Sequence, residues 1–360
     1  MNLVLAHDYL IQMGGAERVV AAMHRRFPDA PIYTSAVNRE TLWDDFRDAD
    51  IRTTWLQNAP FIGSHTHFKK YLPFYPAAFR SFGEVKADCA WISSSTFAKY
   101  MRFAPGTRTV CYVHNPTRFL WQTDGYVDHE VDNSVLNRMV RLALPVFRAA
   151  DIAAAKRMDV LIANSKNVQE RILKCYGRKS EVIHPPVQTT RFPLSTRDDG
   201  YFLIVSRLLG YKNIELAVRA FNRSGQSLVV VGDGPQRGTL ERLAGPSVQI
   251  LGRRSDTEIL SHFERCRAFL FPGHEDFGIT PVEAMACGKP VVAFKKGGAL
   301  ETVAANKTGV FFEEATEEAL LAAVRNLEAT SWNAASIRKH AENFSEERFL
   351  EKMEAVLRNQ

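Results

Sequence analysis

Short runs of apolar residues alternate with helical spacings along the whole chain. Leu3–Ala6, Cys89–Ser93, Thr109–Val113, Val160–Ala163 and Tyr201–Val205 each predict a strand. So do Leu228–Val231, Val248–Leu251, Ala268–Phe271, Val291–Phe294 and Gly309–Phe312. Val, Ile and aromatic residues fill these runs, and most lack polar alternation. Parallel strands covered on both faces read this way. Strands alternating with helices predict an α/β protein built of doubly wound parallel sheets. Ligands of such sheets bind beyond the carboxyl ends of the strands. The segment HPPVQTTRFPLSTRDDG interrupts the rhythm with three prolines before the strand at Tyr201. A break there predicts a first domain over 1–187 and a second over 188–345. A final helix at about 346–360 could pack back on the first.

A length of 360 residues suits two domains. With 46% hydrophobic and 24% charged residues, the chain is globular and not disordered. No stretch approaches the roughly 18 apolar residues that cross a bilayer. The start, MNLVLAHDYL, has no basic lead-in, and His7 and Asp8 cut its apolar run short. It reads as a first strand and not a secretory leader, which predicts a cytoplasmic protein. Five scattered cysteines without paired spacing predict reduced thiols, with neither a disulfide framework nor a zinc site.

Charge changes the picture more. Residues 1–188 carry 24 Lys and Arg against 18 Asp and Glu, whereas residues 189–360 carry 22 of each. The net charge of +6 therefore belongs to the first half. Nucleic acid, an anionic membrane surface or a phosphorylated substrate would each account for it. No helix-turn-helix or other nucleic-acid motif accompanies the charge, so nucleic acid is not an expected partner.

The candidate chemistry concentrates in two segments of the second half. SRLLGYKN places Arg207 and Lys212 on a loop after the strand Tyr201–Val205. Two cations at a strand's carboxyl end suit a diphosphate, although exposed basic residues on a turn are also common. Asn213 is a candidate cap for the helix that follows. FPGHEDFGITPVEAMACG places Glu275 and Glu283 around a predicted helix start, with Thr280 as cap and Pro281 at the first helical position. Free amides at such a start point at an anion. Thr-Pro-Val-Glu also has the spacing of a capping box, so Glu283 fits a cap as well as a ligand carboxylate. The turn Gly232-Asp233-Gly234-Pro235 allows close approach to a ligand or simply punctuates the chain. In the first half, Gly14-Gly15 open a helix, and bare amides there suit phosphate or acceptor oxygens. His114 follows the strand Thr109–Val113 and reads either as a group reaching into a cleft or as a loop histidine. Arg118 and Trp121 read in the same two ways.

The segment FIGSHTHFKKYLPFYPAAFRSF interleaves seven aromatics with Lys69, Lys70 and Arg80. That mixture suits a lipid headgroup layer, and equally a half-buried loop and helix. Pro73 and Pro76 exclude one long regular helix.

Several motifs, spread over nearly the whole chain, resemble the retaining family-four glycosyltransferases of the GT-B fold. In order they are GGAER, YVHNP, ANSKNVQERI, HPPV, SRLLGYKN, VGDGP and EDFGITPVEAMACGKPVV. The last, with two glutamates in its ED-to-VE span, is the most specific. HDY, KKYLPFYP and YVHNPTRFLW look like bacterial mannosyltransferases that assemble polysaccharide units on a lipid carrier.

The resemblance implies two Rossmann-like domains facing a cleft, the first for the acceptor and the second for a nucleotide sugar. It implies that Arg207 and Lys212 bind the donor diphosphate and that Glu283 accepts the ribose hydroxyls. Glu275 would hold the donor sugar, assisted by backbone amides of Phe277, Gly278, Ile279 and Thr280. Gly15 would approach the phosphate, and His114 would lie beside the transferred sugar near its 6-hydroxyl. His114, Glu275, Arg207 and Lys212 are thus the expected catalytic set. Gln188 departs from the family, which often has an acidic residue after HPPV.

The implied reaction needs no metal and no separate cofactor, the nucleotide sugar being a substrate. GDP-mannose is the expected donor. A polyprenyl-diphosphate oligosaccharide at the inner face of the cytoplasmic membrane is the expected acceptor, with Lys69, Lys70, Tyr71 and Arg80 toward lipid. A sugar-nucleotide 2-epimerase and a non-catalytic nucleotide-sugar-binding protein are the alternatives.

Overall fold

The computed structural model describes residues 2–12, 14–63, 68–121 and 134–358. The chain divides into two compact units, Met1–His184 with Phe349–Gln360, and Pro185–Arg348.

The first unit is built on a seven-stranded sheet. Its strands are β1 (Leu3–His7), β2 (Ile32–Thr34), β3 (Ile51–Thr53), β5 (Cys89–Ser94), β7 (Arg108–Val113), β8 (Val160–Ala163) and β9 (Glu181–Val182). The order is β3-β2-β1-β5-β7-β8-β9, parallel throughout. Two short strands, β4 (Glu84–Val85) and β6 (Arg102–Phe103), pair apart from it. Both faces of the sheet are covered. Val4 and Ala6 join one cluster with Tyr75, Phe79 and Phe97. Leu3 and Leu5 join another with Trp91, Phe349, Met353 and Leu357. Burial on both sides is why β1 shows no polar alternation. Each fully buried large side chain adds about 1.5–3 kcal/mol to this packing.

The second unit carries six parallel strands: β10 (Tyr201–Val205), β11 (Ser227–Val231), β12 (Val248–Gly252), β13 (Ala268–Phe271), β14 (Val291–Phe294) and β15 (Gly309–Phe312). Their order is β12-β11-β10-β13-β14-β15. From β10 the chain builds outward through β11 and β12, then crosses back to lay β13 on the other side. The order reverses between β10 and β13, and the loops leaving those two strands diverge around a crevice. In the first unit the same reversal falls between β1 and β5.

Every strand expected from the apolar runs is present, with ends shifted by no more than one residue. The strands not anticipated are β2, β3, β4, β6 and β9, each two or three residues long. Pieces that short carry no period to read. All five cysteines are free thiols. Burial pushes Cys89 up to about 11 and Cys111, Cys266 and Cys287 up to about 12. Among the described residues no helix is long and apolar enough to cross a membrane.

Candidate functional site

At the reversal point of the second sheet, the loop after β10 passes Ser206 and Arg207 and ends in a single 3-10 turn, Gly210–Lys212. The loop after β13 passes Gly273 and Glu275. Ser206, Lys212, Gly273 and Glu275 line one crevice together with Phe271 and Pro272. The Lys212 ammonium and the Glu275 carboxylate form an ion pair, their side chains 12% and 23% exposed. Two groups expected to grip different parts of a donor are therefore paired with each other. Arg207 stands exposed on the same loop and makes no ion pair among the described residues.

Two glycines hold this loop in place. A Cβ on Gly273 would lie 2.8 Å from the Lys212 Cα, so only glycine lets the two loops meet backbone to backbone. A Cβ on Gly232, whose φ is +141°, would lie 1.8 Å from the Ser206 carbonyl oxygen. The room that Gly232-Asp233-Gly234 offers is taken by the Ser206–Leu208 backbone, not by a ligand. The Leu208 amide donates to the Asp233 carbonyl at 3.0 Å, which fastens the two turns.

The helix start differs from expectation. The helix runs Ile279–Ala286 with Gly278 at the cap, at φ +86°, and without a side-chain cap. Thr280 and Pro281 fall inside the first turn, so the Thr280–Glu283 capping box is not formed. A left-handed residue at 278 turns the chain two residues earlier than Thr280 could. The Glu275 carbonyl accepts from Gly298 at 2.9 Å, tying the loop to the turn after β14. Glu283 is 3% exposed, on a helix whose residues 281–286 are all buried. Phe277 is buried against Phe344, whereas Ile279 and Thr280 are half-buried. The first amides of the helix have no acceptor within it. Asn213 precedes Ile214–Ser224, but at φ +53° it makes no capping bond. Asparagine tolerates the left-handed region, and that is its use here.

The first unit gathers its polar groups at the carboxyl ends of β1, β5 and β7. Gly14 caps the helix Gly15–Arg26, and Gly15 is exposed at its start. The Gly14 amide is not bare: it donates to Glu17 Oε2 at 2.9 Å. His114 follows β7, half-buried, and its Nε2 lies 2.8 Å from Ser93 Oγ. Its carbonyl accepts from the Asn164 side chain at 3.0 Å. Arg118 is exposed, whereas the Trp121 indole donates to Asp151 at 2.9 Å. Asp151 is buried completely and pairs with Lys99 at 2.9 Å. It also accepts from Thr117 and Tyr176 at 3.0 Å each. This network anchors the loop after His114 to the helix Ser134–Lys156.

Sequence reasoning passed over Asp8. It is 1% exposed, and four successive amides donate to it: Ser95 (2.5 Å), Thr96 (2.9 Å), Phe97 (2.7 Å) and Ala98 (2.7 Å). Burial raises a carboxylate, but His7, the amides and Lys99 outweigh it and hold Asp8 below its ordinary value. The available signal was a His-Asp pair ending a buried strand, where a charge has to find a partner.

In the basic aromatic segment, Phe68–Phe74 is a 3-10 helix and Tyr75–Arg80 an α-helix. Tyr75 and Phe79 belong to the core, whereas Phe61 and Phe74 are 75% and 53% exposed. Lys70 and Arg80 are exposed, and the Tyr71 hydroxyl donates to the Pro60 carbonyl at 2.9 Å. The Lys69 side chain and residues 64–67 lie outside what is described.

Residues 13–191 match Glycosyltransferase Family 4, and residues 188–347 match Glycosyl transferases group 1. The chain belongs to glycosyltransferase group 1/family 4. This is a retaining family that transfers sugar from a nucleotide sugar. A GDP-mannose-dependent alpha-(1-6)-phosphatidylinositol monomannoside mannosyltransferase of Mycolicibacterium smegmatis is 29% identical over 226 residues, 54% of this chain and 59% of that one. The O-antigen chain mannosyltransferase C of Escherichia coli is 27% identical over 196 residues, 49% of this chain and 52% of that one. The chain thus spans little more than half the length of these curated relatives. Among solved structures, Anabaena HepE in complex with UDP and glucose matches with a TM-score of 0.74 at 18% identity, covering 100% of both chains. The two parallel-sheet domains of this glycosyltransferase have the GT-B fold.

Proposed function

We propose that this glycosyltransferase moves mannose from GDP-mannose onto a polyprenyl-diphosphate-linked saccharide during surface polysaccharide assembly, with retained configuration and without a metal. The observation that carries the reading is the meeting of Lys212 and Glu275 at one sheet reversal, with a helix starting at Ile279 at the end of the Glu275 loop. A diphosphate entering there draws Lys212 from Glu275, joined by Arg207 and the first-turn amides. Glu275 then accepts from sugar hydroxyls, and Glu283 from the ribose. Negative charge grows on the diphosphate as the glycosidic bond breaks. Fixed cations and amides stabilise that charge more in the transition state than before it. The departing phosphate oxygen takes the acceptor's proton on the same face, which keeps the configuration. His114 of the first domain contacts the transferred sugar in this reading. The names of the two mannosyltransferase relatives favour mannose. Exposed Phe61 and Phe74, with Lys70, Tyr71 and Arg80 nearby in sequence, favour a lipid-linked acceptor at an anionic membrane surface.

A thermal-shift panel of GDP, UDP, GDP-mannose and UDP-glucose tests the donor. A ligand at a hundred times its Kd adds about 2.7 kcal/mol to stability. The largest shift is expected from GDP-mannose, and a larger one from UDP-glucose would defeat the mannose reading. Glu283→Ala should lose most of the shift. An unchanged shift on a lowered baseline would make Glu283 purely structural.

A further inference from the structure

His7 ends β1, and Ser93 lies opposite it in β5. His7 is 1% exposed and Ser93 is fully buried. His7 Nδ1 lies 3.1 Å from the Ser93 carbonyl oxygen and 3.0 Å from Ser93 Oγ. A carbonyl oxygen can only accept, so Nδ1 carries a hydrogen and donates. Ser93 Oγ thus receives from the His7 side, and its own hydrogen has to point elsewhere. Among the described residues, the other polar atom within reach is His114 Nε2, at 2.8 Å. A buried hydroxyl hydrogen left unpaired costs about 1–3 kcal/mol, so it goes to that nitrogen. His114 Nε2 is therefore an acceptor, and neutral His114 keeps its ring hydrogen on Nδ1.

Glu17 stands behind this chain. Its Oε1 lies 3.8 Å from His7 Nε2, while its Oε2 holds the Gly14 amide. Burial by itself would lower the His7 pKa, but Glu17 and Asp8 outweigh burial and raise it. With the Nδ1 hydrogen directed at the Ser93 carbonyl, His7 has no lone pair on that nitrogen. It cannot accept from Ser93, so the serine hydroxyl cannot reverse. Glu17, His7 and Ser93, from three elements, form one chain that ends on the His114 ring nitrogen.

We propose that Ser93 is a positioning residue for sugar transfer: backed by His7 and Glu17, it holds His114 as the neutral Nδ1–H tautomer. The ring then presents a hydrogen-bond donor at Nδ1, suited to a sugar hydroxyl oxygen. This rests on the reading above that His114 contacts the transferred sugar.

Long-range proton–nitrogen NMR of the ligand-free protein at about pH 8, above the ordinary histidine range, reads the tautomer directly. His114 is assigned by the signal that His114→Gln removes. The expected wild-type spectrum has Nε2 unprotonated and Nδ1 protonated, and a His114 signal with hydrogen on Nε2 overturns the assignment. In Ser93→Ala the signal should move toward the Nε2–H form. There kcat for transfer from GDP-mannose to a polyprenyl-diphosphate saccharide should fall about tenfold, with KM for the donor little changed. Ser93→Thr keeps the hydroxyl and should restore both the spectrum and kcat. A normal kcat in Ser93→Ala, with the tautomer lost, overturns the positioning role. Should Ser93→Ala not fold, the wild-type spectrum and Ser93→Thr still decide. Normal transfer by His114→Gln would remove the sugar-contact reading and the positioning role with it, leaving the tautomer assignment standing.

Discussion

The two sheets have the same architecture and treat charge at their reversal points in opposite ways. At the end of β1 and β5, Asp8 is sealed in the core and satisfied by four amides. Nearby, Lys99 and Asp151 are equally buried and bound to Thr117, Trp121 and Tyr176. At the end of β10 and β13, Lys212 and Glu275 stay partly open and Arg207 is exposed. The first arrangement leaves little for a ligand to gain by displacing a partner, because each buried charge would lose several bonds. The second can exchange one ion pair for a stronger match with an incoming diphosphate. A strand-end position therefore does not say whether a charge builds the scaffold or meets the substrate. Burial and the number of partners do.

The largest effect that would break this contrast is on Asp8. Asp8→Ala strands four amides in the core and should lower unfolding stability by about 3–5 kcal/mol, read by chemical denaturation. A variant that denatures like the wild type would make Asp8 no part of the scaffold. Next come the open cations. Lys212→Ala and Arg207→Ala should each lower kcat at least tenfold, more than about 1.4 kcal/mol of transition-state stabilisation. Their melting curves should move little, since exposed or half-exposed pairs contribute about 1 kcal/mol or less. Normal turnover in both would end the electrostatic reading, and a collapse in stability would erase the contrast.

The smallest effect is a pH dependence at His7, which faces Glu17, Asp8 and, through Ser93, His114. Its pKa is raised on folding. The stability it contributes is therefore fully present below the ordinary histidine value and is lost as pH rises through the folded value. Glu17→Gln should flatten that decline in melting temperature, and an equal slope in both proteins would uncouple the pair.

The central strands were readable because burial on both faces writes unbroken apolar runs, as in Val160–Ala163 and Ala268–Phe271. Ile51–Thr53 and Glu181–Val182, at the two edges of their sheet, left no such run. Lys212 and Glu275 were readable as candidates because each follows such a strand. Their pairing was not, since it depends on two loops meeting at Gly273. The helix start at Gly278 was misread as Thr280 for a related reason. A capping box is a local preference worth about a kcal/mol, and a loop tied to Gly298 overrode it.

Local chemistry in this chain thus determined the α/β class, the positions of the central strands and the residue types able to hold a sugar diphosphate. Those depend on side-chain period and turn propensity over a few neighbours. The tertiary structure decided which charges are sealed and which are open, and that Ser93 stands between His7 and His114. Asp8 meets its amides 87 to 90 positions away, and Ser93 meets His7 across 86. Parallel pairing of β1 with β5 brings such residues together, and no pattern along the chain encodes a distance that only strand register creates.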